Sequence, residues 1–392
     1  MNARLIFIIP FVLFAFNAGM VLNMPGANIM EKGAFLAMSM ILLLIRPFDK
    51  FIMGLLALVI GLILFQGMAT TWPGFSWVTL LMSLNQVVIV YVLLAFKPTT
   101  QDANILIKTI AAIPILSIIL GLLYQAAGIH PLFSTEWASG IHRLQGSLIP
   151  AFLSGIALSG SYASTVLLFD RKKPALLLLT IVNLVILLLA GGRTALAVGM
   201  LVILAELLFN PNLRRDHKFW MSLSGLALLP ALALTAGINV IGRFQTSGDN
   251  GRQIMWSFLD TVAARYPYSG IGFGHQMDIV PREVSIRTGS TAAHNDFVRL
   301  TTEIGMNGMI LFYILLTLAV LRASISRGRI TWGAIIAYAG FLLMSYSDNA
   351  LATPSSFPLL ILAVVVGKIR ADQYPHRAHI RLWRRFPKVQ PG

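Results

Sequence analysis

The sequence predicts an all-α integral membrane protein, and three observations carry that prediction. Of 392 residues, 57% are hydrophobic and only 11% charged, too few polar groups for the surface of a soluble fold. Windows of about 20 residues with few charges recur along the whole length, the size of helix that crosses a hydrocarbon core of about 30 Å. Most of the 30 lysines and arginines fall in alternate connections between those windows, as the positive-inside bias requires of a chain that crosses repeatedly.

Apolar runs bounded by breakers give twelve spans, at residues 3–22, 29–45, 51–67, 77–96, 105–127, 150–169, 174–190, 194–209, 219–238, 298–321, 330–347 and 354–369. The first, beginning "MNARLIFIIPFVLFAF", has the look of a signal peptide, but it lacks a small-residue cleavage site and further spans follow, so it reads as a retained helix. The run from 174 to 209 would measure about 54 Å as one helix, too long for a single crossing. Its flanks, "DRKK" and "RRDHK", are both basic and belong on the same side, so an even number of crossings lies between them and "GGRT" is the turn. The same bias puts both termini in the cytoplasm. The chain is then one polytopic domain, 1–392, with a basic cytoplasmic tail at 368–392.

The net charge of +15 is explained by placement. Cationic segments beside spans fix orientation and lie on anionic lipid headgroups, so the charge implies membrane lipids and no nucleic-acid partner. The absence of cysteine excludes disulfides, thiolate metal sites and a thiol nucleophile. His130 and His142 share one outer connection, but no third ligand stands at recognisable spacing, so no metal site is expected.

One connection is unlike the rest. About 60 residues, 239–297, separate the ninth and tenth spans on the outer side, and a loop of that length in a compact protein is usually functional. Within it "GDNGRQIMWSFLDTVAARYP" sets Ile254, Met255, Phe258, Leu259 and Val262 on one helical stripe, with Asp249 or Asn250 as N-cap. This predicts an amphipathic helix on the membrane surface, within an ordered loop. The glycines of "PYSGIGFG" read as a tight turn; no strand precedes them, so they make no nucleotide loop.

Arginine is abundant where the positive-inside bias should deplete it. Arg243, Arg252, Arg265, Arg282, Arg287 and Arg299 lie in or beside the long loop, which has no lysine. A guanidinium offers a planar fork of donors that matches phosphate, where lysine offers a point charge. Arg193 sits in the two-glycine turn between apolar spans, either snorkelling or holding a ligand that the glycines allow close to the backbone. Arg143, in "HRLQGSLIP", is placed similarly. In "AHNDFVRLTTEIGMNGM", Asn295 or Asp296 can cap the tenth span, leaving His294 just outside it as either a packed residue or a base, since an imidazole accepts a proton near neutral pH. Glu303, Gly305 and Gly308 are expected to continue the helix, the glycines packing closely on a neighbour.

These stretches together, "GGRTALA", "PYSGIGFG" and "AHNDFVRLTTEIGMNGM", resemble the O-antigen ligase and polymerase superfamily of bacterial envelopes. The resemblance implies a glycosyltransferase, independent of metal and cofactor, at the periplasmic face of the inner membrane. Its donor would be a glycan on undecaprenyl diphosphate, and its acceptor a glycan or lipid A-core hydroxyl. A chain-length regulator is a further possible partner. Arg193 matches the family's arginine after the double glycine, Arg252 the arginine ahead of the loop's aromatic, and His294 the motif histidine. His294 would then act as base in an inverting displacement. Arg193 and Arg252 would bind the diphosphate with Arg143 and Arg265 beside them, and Asn295 and Asp296 in support, Asp296 by capping the helix. The form of the motif leans to a polysaccharide polymerase, with an O-antigen ligase as the alternative. A transporter or flippase is the competing class, but the polar residues gather at one face and the halves show no symmetry.

Overall fold

A computed structural model describes residues 3–17, 27–135, 142–171, 173–210, 251–326, 329–373 and 379–381, with single positions at 19, 140, 213, 216 and 218. The chain is mostly helical. In order come α1 (Ala3–Phe16), α2 (Ala27–Ile45), α3 (Lys50–Ala69), α4 (Trp77–Ala95), α5 (Thr100–Ala126), α6 (Pro150–Arg171), α7 (Pro174–Ala190) and α8 (Arg193–Phe209). Then follow α9 (Arg252–Arg265), α10 (Arg282–Thr288), α11 (Asp296–Ser324), α12 (Trp332–Ser347) and α13 (Phe357–Gln373). Among the described residues five helices, α3, α4, α5, α6 and α11, are long and apolar enough to cross a membrane, with shorter apolar helices at Leu5–Phe16, Pro174–Ala190 and Trp332–Ser347. Every expected span but the ninth coincides with a helix. The ninth, 219–238, lies outside the described residues, as do 239–250 and most of the tail beyond 373, so the structure supports five candidate spans with shorter apolar helices beside them, and not a total of twelve.

Large apolar side chains face outward along the helices, among them Leu58, Phe65, Leu178 and Leu201, as a bundle solvated by lipid requires. The interior is organised around α6, which is almost wholly buried between α5, α7, α8 and α13. Its small residues let these neighbours approach, and its hydroxyls return to carbonyls four residues back: Ser154 to Pro150 at 2.7 Å and Thr165 to Ser161 at 2.7 Å. The hydroxyls are thereby satisfied inside an apolar bundle.

Helix ends follow local chemistry. Asp49 caps α3 by accepting the Phe51 N–H at 3.0 Å, and Thr99 with Asp102 forms a reciprocal capping box at the start of α5. The all-α expectation misses short strand pairings outside the helices. Strand β1 (Phe133–Thr135) pairs antiparallel with β2 (His142–Leu144), and β3 (Ile325–Ser326), β4 (Arg329–Thr331) and β5 (His379–Arg381) form a second small sheet. Runs of two or three residues are too short for alternation to show in a sequence.

Helices α3 and α11 separate two polar ends. At one, Arg322 pairs with Asp49 at 3.0 Å, Lys97 with Asp49 at 3.5 Å, and Arg46 with Asp102 at 2.7 Å. At the other, the connection 70–76 following α3 meets the residues leading into α11, and the candidate site lies there.

Candidate functional site

The turn "GGRT" is built by its glycines. Gly191 ends α7 in the left-handed region (φ 65°), returning its N–H to Leu188 at 3.1 Å, and Gly192 opens α8. A Cβ on Gly192 would stand 2.5 Å from the Ser154 hydroxyl, so the turn is pressed onto α6 as only glycine permits. Helix α8 thus begins at Arg193 with no side-chain cap, its N-terminus and the positive end of its dipole turned to a cleft that Arg193, Thr194 and Ala195 line. Arg143, on β2, donates from Nε to the Ala190 carbonyl at 2.8 Å and enters the same cleft. Arg252, the first residue of α9, lines it from a third direction. The cleft holds about 130 Å³ and closes against Met344, Ser347 and Asp348 at the end of α12. Three guanidiniums and a helix N-terminus facing one carboxylate make a site for an anion.

His294 stands beside this cleft, just before α11, as one of two non-glycine residues at positive φ among the described residues (50°). Its Nδ1 lies 3.3 Å from Asp348 Oδ1 and its Nε2 3.1 Å from the Ser290 hydroxyl. A carboxylate only accepts, so in the neutral ring the proton belongs on Nδ1 and the lone pair on Nε2. Burial pushes the Asp348 carboxyl up, but the hydrogen bond and charge of His294, the Asn349 N–H and the Arg252 guanidinium outweigh it, and the group sits below its ordinary value. Asp348 therefore belongs both to the histidine and to the arginine cleft.

Asn295, rather than Asp296, caps α11, accepting the Phe297 and Val298 N–H groups at 2.9 and 3.2 Å. Its own N–H reaches Asn349 Oδ1 at 3.3 Å. The capping expected of Asp296 is thus corrected. Its buried carboxylate accepts the Leu351 N–H at 2.8 Å and pairs with Arg299 at 2.8 Å. Residues 294–296 are clasped to 348–351, which holds Asp348 against His294.

The stretch "EIG" does not continue the helix as expected. Gly305 has φ 72° and ψ 164°, a break inside α11. The carbonyls of Thr302 and Glu303 accept instead from Ile271 and Gly272 at 3.0 and 2.8 Å, and the Glu303 side chain accepts the Gln276 N–H at 3.2 Å. The "PYSGIGFG" turn is thereby docked into the kink. A Cβ on Gly305 would meet the Tyr268 carbonyl at 2.5 Å, and one on Gly270 the Glu303 carbonyl at 2.4 Å. His275 locks the other side of the turn, its Nε2 accepting the Ser76 N–H at 2.9 Å.

Helix α9 also departs from its expected form. Met255 and Leu259 are buried with Ala293, and Trp256 donates to the Ala293 carbonyl at 2.8 Å, while Ile254 is exposed. The N-cap is Gly251 at φ 75°, with no side-chain cap, and not Asp249 or Asn250, which lie outside the described residues. Arg193, Arg252 and Arg143 are brought together; Arg265, exposed at the far end of α9, is not among the residues of the cleft. Sequence reasoning missed Asp348 and Ser290. The signal for Asp348 was an acid in the outer connection "SYSDNALATP"; Ser290 carried no signal.

A chain with this many outward apolar faces and several candidate membrane helices is an integral membrane protein. Residues 175–313, from α7 through the kink of α11, are similar to the family model described as O-antigen ligase. No curated protein matches it significantly.

Proposed function

We propose that the protein is a metal-independent, inverting glycosyltransferase at the periplasmic face of the bacterial inner membrane, moving a glycan from undecaprenyl diphosphate to an acceptor hydroxyl. The observation that carries this reading is the His294–Asp348 pair at the edge of a cleft where Arg143, Arg193 and Arg252 converge. His294 Nε2 takes the proton of the acceptor hydroxyl as its oxygen attacks the anomeric carbon. The bond to the diphosphate oxygen breaks on the opposite side, so configuration inverts. The guanidiniums and the N-terminus of α8 stabilise the charge that builds on the leaving diphosphate. Asp348 holds the imidazole in its reactive tautomer and stabilises the imidazolium as it forms. Asn295 and Asp296 support the pair from behind, and Arg265 takes no part.

The acceptor in this reading is a second glycan, which makes the activity a polysaccharide polymerase; the form of the "AHNDFVRL" motif supports that choice over transfer to a lipid A core. A deletion strain complemented with wild type, His294→Ala or Arg193→Ala tests it. Surface and lipid-linked glycans on a gel should show a single repeat unit on its usual acceptor in the deletion and in both variants, with each variant protein at normal level in the membrane. Long chains stranded on the lipid carrier would show a ligase instead. Unchanged glycans in the deletion would overturn the transferase reading, and substantial activity in His294→Ala would remove its base.

A further inference from the structure

The Ser290 hydroxyl takes no part in the chemistry just described, yet it occupies the one lone pair that chemistry needs. With Nδ1–H directed at Asp348, His294 Nε2 is an acceptor, so the contact at 3.1 Å has Ser290 donating to it. Ser290 is held for this by its surroundings. Its oxygen accepts the Ala292 N–H at 3.0 Å, and its backbone is tied on both sides to the Thr288 hydroxyl, which donates to the Ser290 carbonyl at 2.7 Å and accepts the Ser290 N–H at 3.4 Å. The imidazole behind it is about a third exposed, with 37% of its side-chain surface open, so solvent reaches the ring and water competes with the Ser290 hydroxyl for Nε2 when no acceptor is bound.

A transferase that holds an activated donor beside an exposed base risks passing the glycan to water. The balance is simple: a water oxygen attacks the anomeric carbon, its proton goes to Nε2, and the lipid diphosphate leaves with the electron pair of the broken bond. Enzymes of this kind keep water from the reacting centre until the correct partner arrives. We propose that Ser290 is a positioning residue that guards the base, its hydroxyl filling the place of the acceptor hydroxyl at Nε2 and giving way only to a bound acceptor. This rests on His294 being the base of the proposed transfer. Ser290 forms no bond to the glycan; it acts through the histidine, occupying Nε2 in the tautomer that Asp348 sets and so excluding water from it.

The test uses full-length purified protein and the lipid-linked glycan extracted from the deletion strain, with chain products and free reducing glycan measured in the same reaction. Displacing the serine costs one hydrogen bond, so Ser290→Ala should raise the ratio of hydrolysis to transfer on the order of two- to tenfold. Ser290→Thr and Ser290→Val share a shape and differ in the hydroxyl; the threonine should restore the low ratio and the valine should not, a comparison that stands even if the alanine variant folds poorly. A ratio that is unchanged in valine, or chain products and free glycan falling together, overturns the guard. Retention of both products in His294→Ala instead overturns the base itself, and so separates the two ideas.

Discussion

At the scale of single side chains, the working histidine is set by a carboxylate that comes from 54 residues further along the chain. Asp348→Asn keeps the shape but offers Nδ1 an amide that donates as readily as it accepts, so the ring loses its preference for the reactive tautomer. Transfer should fall on the order of 10²- to 10⁴-fold with the protein still folded, measured as initial rate at saturating donor. The same residue fixes a pH dependence. Because its folded value is lowered, Asp348 contributes stability above the ordinary carboxylate value of about 4, and that stability is lost as pH falls through the lowered value. The difference in thermal midpoint between wild type and Asp348→Asn should therefore narrow as pH is taken from about 5 towards 2; a difference that widens with acid would contradict the assignment. The two arginines of α9 separate in the same way. Arg252→Ala removes a donor from the cleft and should cost about 10²-fold in rate, while Arg265→Ala, exposed at the other end of a helix about 20 Å long, should leave transfer within a factor of about two. Sequence could supply both arginines as candidates, since each lies in the outer loop. Which one faces the cleft is decided by how α9 docks on α11, and no local pattern encodes that.

Among the elements, α11 is where local reading and tertiary context disagree most. A glycine inside a long apolar run reads as a packing notch, and by propensity the helix should pass through it. The break at Gly305 exists because a distant segment, 267–272, supplies N–H groups for the carbonyls of Thr302 and Glu303 that the break releases. Neither half of that exchange is visible without the other. Gly305→Ala places a Cβ 2.5 Å from the Tyr268 carbonyl at a φ that side chains rarely adopt, so it should destabilise the protein by about 1–3 kcal/mol or more. Gly61→Ala, in the middle of α3 with nothing within 4 Å of the added carbon, should be neutral or stabilising by up to about 1 kcal/mol. Thermal unfolding of the two variants in one detergent compares them directly. Equal midpoints would mean that the kink is not part of the stable fold.

Across the whole molecule, polar groups collect at the two ends of the bundle, and the two ends differ in kind. The anion-binding cleft draws on the connections after α7 and α12, the β1–β2 hairpin and the long loop, all expected on one side from the alternation of basic flanks; that alternation was legible because it depends only on where the charges fall along the sequence. The cleft was only half legible. Arg193 and Arg143 stand in turns marked by glycine, whereas Asp348 is a single acid in a short connection whose partner is settled only by the clasp of Asp296 on Leu351. The end away from the cleft serves cohesion. There Arg370 of α13 is buried with Glu206 of α8, donating from Nη1 to Oε2 at 3.2 Å and from Nη2 to Oε1, and it also pairs with Asp170 of α6 at 3.5 Å. Arg370 of α13 joins α8 to the central α6, and its removal takes a guanidinium from two buried carboxylates. Arg370→Met should therefore destabilise by about 3–5 kcal/mol, the size expected for breaking a buried pair. Adding Glu206→Gln to it should recover part of that loss, since the carboxylate nearest the lost guanidinium is then replaced by a neutral amide. Because the cluster is remote from the cleft, the variant should transfer glycan at nearly the wild-type rate at temperatures where it stays folded. A rate that falls in Arg370→Met well below its unfolding midpoint would show instead that this end of the bundle shapes the cleft.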